Sequence, residues 1–296
     1  MAERKAPKNK PVLDPESETW NKLPWRKLEK HCFRIQKRIF RASQRGNTRA
    51  VHKLQKLLMK SQAARLLAVR RVTQENQGKK TAGIDGVKSV KPAQRLAMAN
   101  HIHPKNWKDT SPPVRRVWIP KPGKTEKRPL GIPVMVERAR QHLAKLALEP
   151  EWEARFEPNS YGFRPGRSCH DAIEGIFNAI KQKDKYVLDA DLKGAFDNIN
   201  QQKLLNKLKS YPTLKRVIRA WLKAGAIDKR AFEETTSGTP QGGLCKALHN
   251  PPYAKLCIRR GGISFAHEHS LTRHRDSNPR SLLLQRRKSS SDPLRR

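Results

Sequence analysis

The sequence predicts a mixed α/β (α+β) fold that is preceded by a helical basic module. Strand-like segments alternate with helical segments between residues 83 and 243, and two amphipathic helical patterns come before them. This patterning fades from about residue 244. Residues 244–296 are therefore expected to form a disordered tail, and the basic residues 1–14 a disordered arm.

The helical module begins in residues 15–47, where one apolar face repeats with helical spacing. Leu28, Cys32, Ile35 and Ile39 follow the i, i+4, i+7 pattern of a buried face. Cys32 lies on this apolar face and is expected to be a core residue. The four cysteines of the chain stand far apart, which disfavours a disulfide framework.

A second helix is expected after the Gly-Asn pair at residues 46–47, which ends the first one. Thr48 is the predicted N-cap of this second helix. Its apolar residues are Val51, Leu54, Leu58, Leu66 and Leu67.

The charge of the chain indicates a polyanionic partner. Its 296 residues include 64 Lys and Arg against 26 Asp and Glu, which gives a net charge of +38. Nucleic acid is the first candidate partner and an anionic membrane surface the second. The membrane is disfavoured because no apolar run approaches the roughly 20 residues needed to span a bilayer.

Cations on the polar sides of the two helices are the candidate RNA-binding residues. They are Lys37, Arg38, Arg41, Lys53, Lys56 and Lys60. The alternative is a pair of merely solvated amphipathic helices. The near absence of acidic residues favours an RNA-binding module, since a merely soluble helix normally mixes both signs.

Downstream, residues 114–133 have the signature of a β-hairpin with a Pro- and Gly-containing turn. A helix is predicted over residues 136–156 and further helical segments over 204–222. Between them, residues 186–191 are predicted to form a short, mostly apolar strand that ends in Asp191. A carboxylate at a strand end suits a Mg²⁺ site, although a helix-capping Asp beside a turn is an equally good explanation.

Five ordered blocks give these segments a common interpretation. They are residues 81–87 (TAGIDGV), 119–121 with 128–133 (IPK and RPLGIP), 160–168 (SYGFRPGRS), 191–199 (DLKGAFDNI) and 238–243 (GTPQGG). In this order and spacing they resemble the polymerase domain of group II intron reverse transcriptases (maturases). The resemblance covers about residues 20–243.

The resemblance implies a right-hand polymerase, with an RNA-binding leader at residues 15–76, fingers at 77–185 and a partial palm at 186–243. Asp191 resembles the first catalytic ligand of Mg²⁺. The residues that resemble nucleotide-binding positions are Lys121 and Arg128 at the triphosphate, Phe196 at the sugar and Gln241 beside the template. A surface arginine and ordinary core packing remain the alternatives for Arg128 and Phe196.

One departure from the family pattern limits the expected activity. The family carries a Tyr-Ala-Asp-Asp motif after the fifth block, whereas this chain has no Asp-Asp dipeptide and continues as LCKALH over residues 244–249. The resemblance implies intron RNA as partner, with a DNA primer, template and deoxynucleotides for polymerisation. Three hypotheses stay open: a truncated and polymerase-inactive family member, a non-enzymatic intron-RNA-binding protein, and a gene remnant. The expected location is the bacterial cytoplasm, or an organelle that hosts group II introns.

Overall fold

The computed structural model describes residues 19–120, 123, 125–162, 164–182 and 196–238, and the backbone of 256–259 and 262–265. These residues belong to one compact unit, residues 1–266. The predicted arm and most of the predicted tail lie outside the described residues, and the four boundaries between the predicted segments stay predictions.

The helices and strands follow one another in a mixed order. The helices are α1 (Trp25–Gln44), α2 (Thr48–Lys60), α3 (Gln62–Arg70), α4 (Pro92–His101), α5 (Met135–Glu153), α6 (Cys169–Ile180), α7 (Gln201–Leu208) and α8 (Pro212–Leu222). The strands are β1 (Val114–Pro120), β2 (Lys127–Ile132), β3 (Ala226–Asp228), β4 (Ala231–Glu233), β5 (Leu256–Arg259) and β6 (Gly262–Phe265). A π-helical turn (Arg71–Glu75) follows α3 directly.

The first two predicted helices form, with two corrections. Cys32, Ile35 and Ile39 of α1 are buried as expected. The N-cap of α2 is Asn47 and not Thr48, because the Asn47 side chain accepts a hydrogen bond from the Ala50 N–H. The predicted second helix is also interrupted at Ser61, which has an extended backbone and caps α3 through its hydroxyl.

The predicted hairpin forms one half of a four-stranded sheet in the order β2-β1-β3-β4. Strands β1 and β2 are antiparallel, β1 and β3 parallel, and β3 and β4 antiparallel. The β3–β4 hairpin was not predicted. Its turn residues Lys229 and Arg230 both have positive φ, of 45° and 77°, although neither is a glycine or asparagine.

Helix α5 is the element on which the helical module packs, since it contacts α1, α2 and α3. Pro150 lies inside α5 and has no N–H to donate to the carbonyl of Leu146 one turn earlier. The side chain of Gln36 in α1 donates to that carbonyl instead, at 2.9 Å. The Ser43 hydroxyl likewise donates to the Glu151 carbonyl. The module and α5 therefore share one hydrophobic core and a set of polar bonds.

The predicted tail contains one described element. Strands β5 and β6 pair antiparallel, with Leu256 opposite Phe265 and Arg259 opposite Gly262. Disorder of the remainder stays a prediction. The predicted strand at residues 186–191 lies outside the described residues.

Candidate nucleic-acid interface

The exposed cations of α1 and α2 form a surface that we call the leader surface. It consists of Lys37, Arg38, Arg41, Lys53, Lys56 and Lys60, all of which are exposed. Between Glu29 and Glu75 the sequence has 13 Lys and Arg and no acidic residue. Across the parts of the chain that the structure describes, these six side chains form no ion pair. Their charge is therefore available to a polyanion.

Other basic residues of the module are already engaged within the protein. Arg70 pairs with Glu29 at 3.1 Å and with Glu75 at 2.9 Å. Arg65 donates to the Ala99 carbonyl at 2.8 Å, and its burial lowers its pKa. These arginines connect elements of the fold, and we therefore do not count them as part of the leader surface.

Two lysines of the leader surface lie over aromatic rings. The Lys56 ammonium is 4.8 Å from the ring centroid of Tyr211, a buried residue next to α8. The Lys37 ammonium is 5.2 Å from the centroid of Phe33. Phe33 is 57% exposed, and the helical period of the buried face does not predict it, because that period reports only the residues in phase with the core. Its position directly after Cys32, out of that phase, is the signal that indicates an exposed aromatic residue.

In the third block, Arg164 has a structural role. Its side chain is only 4% exposed. It donates to both carboxylate oxygens of Glu153, at 2.6 and 3.1 Å, and to the carbonyls of Glu157 and Ser160. Arg164 thus fixes the loop after α5 and faces no open surface.

The first block is held against the end of β2 by an arginine of α5. Arg138 donates to the carbonyls of Gly78, Thr81 and Pro133, at 2.8 to 2.9 Å. A Cβ atom on Gly83 would lie 2.7 Å from the Cα atom of Val134, so only glycine fits this close approach.

The fourth and fifth blocks meet where each is partly described. The Gly238 N–H donates to the Ile199 carbonyl at 2.9 Å. Gly238 has a φ of +70°, and a Cβ atom there would lie 2.5 Å from the Asp197 carbonyl oxygen. The Gln201 side chain donates to the Gly238 carbonyl at 3.1 Å. The two blocks are thus adjacent, as a shared site requires.

Of the residues that resemble nucleotide-binding positions, two are described. Arg128 is exposed on β2, opposite Ile119 on β1 and near the turn of the hairpin. Phe196 is half-buried, which fits either packing or a wall of a site. Asp191, Lys121 and Gln241 lie outside the described residues, so their roles stay predictions.

No metal centre is present in the described part of the chain. Among the described residues, no three side chains of His, Cys, Asp or Glu lie close enough together to hold a metal ion. The described residues therefore offer no ligand set for the Mg²⁺ that the resemblance implies. Within the same residues, no helix is long and apolar enough to cross a bilayer.

Comparison with known families defines the class of this protein. The family described as the N-terminal domain of reverse transcriptase matches residues 20–102. The family described as reverse transcriptase (RNA-dependent DNA polymerase) matches residues 119–246. The chain therefore belongs to the reverse transcriptases, as the five sequence blocks implied. The match ends close to residue 244, where the patterning of the sequence changes.

The relatives of the chain place it among the group II intron reverse transcriptases, or maturases. It is 38% identical over 140 residues to the group II intron-encoded protein LtrA of Lactococcus lactis subsp. cremoris, covering 46% of this chain and 23% of that protein. It is 31% identical over 188 residues to maturase-like protein 1 of Euglena gracilis, covering 62% and 41%. Protein YkfC of Escherichia coli (strain K12) is 32% identical over 214 residues, covering 66% and 54%.

The chain spans about half the length of the Escherichia coli relative and less of the other two. Among solved structures, one chain of a partial Cas6-RT-Cas1–Cas2 complex matches with a TM-score of 0.40 and 22% identity, over 64% of this chain and 33% of that chain.

Proposed function

We propose that this chain binds group II intron RNA through the leader surface and does not polymerise DNA by itself. The observation that supports RNA binding is the set of six exposed cations without ion pairs in the described structure. An RNA backbone offers phosphates that such cations neutralise with release of counterions. The family of the chain makes intron RNA the natural substrate class.

The test is a salt titration of RNA binding. The whole chain is titrated onto a transcribed group II intron RNA, and the dissociation constant is measured by filter binding between about 50 and 200 mM salt. Replacement of Lys37, Arg38 and Arg41 by Ala should weaken binding roughly tenfold or more and reduce the salt slope by about 2 to 3, since each lost phosphate contact removes about 0.7 to 0.9.

A matched control removes three cations elsewhere. Lys203, Arg219 and Lys223 are exposed on or next to α7 and α8. Their replacement by Ala lowers the net charge equally, so a general charge effect would weaken binding as much as the leader variant does. Equal losses, or a slope that does not change in the leader variant, would contradict the proposed surface.

The proposed polymerase residues follow the family. Asp191 would hold a Mg²⁺ ion, Lys121 and Arg128 would contact the triphosphate, Phe196 the sugar and Gln241 the template side. The family's two-metal chemistry needs several anionic ligands to hold two divalent ions together. This chain has no Asp-Asp pair to supply them.

Primer extension tests this second half of the proposal. The purified chain and an Asp191→Ala control are given a DNA primer on an RNA template, deoxynucleotides and Mg²⁺. We expect no extension by either protein. Extension by the chain and not by the control would overturn the proposal.

The expected location is the bacterial cytoplasm, with an organelle that hosts group II introns as the alternative.

A further inference from the structure

The exposed ring of Phe33 stands among the cations of α1. At 57% exposure it leaves most of a large apolar side chain in water, although its neighbours Cys32 and Ile35 are buried. An exposed aromatic face among cations is the combination with which proteins bind single-stranded nucleic acid.

The helix places the cations next to this ring. Lys30 precedes Phe33 by three residues and Lys37 follows it by four, so all three lie along one ridge of α1. The Lys37 ammonium is already 5.2 Å from the ring centroid. Glu29, four residues before Phe33, is paired with Arg70. The ring therefore has a lysine on each side of it along the helix.

We propose that Phe33 stacks on an unpaired base of the bound RNA, while Lys30 and Lys37 contact the phosphates on either side. This inference rests on the proposed RNA binding and names the kind of RNA that is recognised at this point. A base in a duplex is already stacked on both faces and is closed to the ring. A base in a loop, bulge or single strand is open to it.

The polar surroundings of Phe33 on α1 favour a nucleotide over a protein partner. Helix faces that bind protein grooves present several apolar anchors at helical spacing. Phe33 has Glu29, Lys30, Gln36 and Lys37 at these positions and no apolar neighbour among them. Helix α6 shows the contrasting pattern, with exposed Ile173, Ile176, Phe177 and Ile180 in one stripe.

The experiment compares single-stranded and duplex RNA on the whole chain. Fluorescence anisotropy gives the affinities for a labelled adenosine-rich 12-mer and for its duplex, each over a salt series. Phe33→Ala should weaken single-strand binding about tenfold, corresponding to about 1.4 kcal/mol. Its salt slope should stay unchanged, because no phosphate contact is lost. Duplex binding should stay unchanged as well.

Two further variants separate stacking from charge. Phe33→Tyr keeps an aromatic face and should retain the affinity for the single strand. Lys37→Ala should lower the salt slope by about 1 on both RNAs. Because Phe33 is exposed, its replacement leaves the buried contacts of α1 intact. Circular dichroism of each variant checks that the helical content is unchanged.

Each outcome has one meaning. If the unaltered chain binds neither RNA, the proposed function fails. If it binds both and Phe33→Ala weakens them equally or not at all, only the stacking inference is overturned.

Discussion

The basic module and the region of the sequence blocks use the same residue types in opposite ways. On the leader surface, Lys53 and Lys60 are exposed and form no ion pair in the described structure. In the region of the sequence blocks, Arg138 and Arg164 donate hydrogen bonds to carbonyl and carboxylate oxygens of the protein itself. A positive charge in the sequence therefore has no single meaning. The exposure of a basic side chain and its hydrogen-bond partners decide whether it stabilises the fold or is available to a ligand.

The largest effect that this comparison predicts is at Arg164. Arg164→Ala should reduce the free energy of unfolding by about 3–5 kcal/mol, because Glu153 and two carbonyls lose their buried donor. Urea unfolding followed by circular dichroism measures the loss. Lys53→Ala is the matched control and should leave stability unchanged. A loss below about 1 kcal/mol for Arg164→Ala would mean that the arginines of the two regions do not differ as described.

The second effect concerns pH and His142 of α5. Burial lowers the pKa of His142 to about 4 from an ordinary value of 6.5, so the folded state keeps the ring neutral where the unfolded state takes up a proton. Stability should therefore fall as pH drops from about 6.5 to about 4, by up to about 3 kcal/mol. His142→Gln cannot titrate and should show a shallower dependence. Parallel pH profiles of the two proteins in thermal unfolding would contradict the burial of this ring.

The third effect tests the contact between the two regions at Pro150. Gln36→Leu should cost about 1–2 kcal/mol of stability, because the Leu146 carbonyl is left without a donor. In a Pro150→Ala background the backbone N–H at position 150 can serve that carbonyl, so the same replacement should cost less. A double-mutant cycle in urea measures the coupling, expected at about 1 kcal/mol. Additive losses would show that Gln36 does not replace the missing N–H.

The smallest effect is expected where both partners are exposed. Arg216 pairs with Asp109 at 3.2 Å, and both side chains are more than half exposed. Arg216→Ala should change stability by less than about 1 kcal/mol, and high salt should remove even that difference. A larger loss in urea unfolding would show that exposure alone does not separate the two uses of arginine.

Local patterns in the sequence predicted the elements that depend on local physics. The apolar face of α1 and the β1–β2 hairpin were predicted because periodicity and turn residues lie within a few positions of each other. The Ser61 break and the β3–β4 turn were missed, since Ser61 carries no strong breaker signal and Lys229-Arg230 is no standard turn pair. The family resemblance was confirmed by the comparisons, because its five blocks are specific in order and spacing.

The site was predicted less completely than the fold. Exposure of Lys37, Arg38 and Arg41 is confirmed, whereas their contact with RNA stays a prediction. The burial of Arg164 depends on Glu153, which lies 11 positions away and across a loop. Such pairings are set by the tertiary fold, and no helical or strand period reports them.

The bond between Gln36 and Leu146 also has a consequence for synthesis on the ribosome. The two residues are 110 positions apart in the chain. At translation speeds of about 5–20 residues per second, roughly 5–20 s pass between the synthesis of the module and the synthesis of α5. During this time α5 is not available to cover the apolar faces of the module's helices. Throughout that interval their cations are already present on the nascent chain. For the RNA binding proposed above, the first RNA within reach of these cations would be the RNA beside the translating ribosome, including the message from which the protein is made.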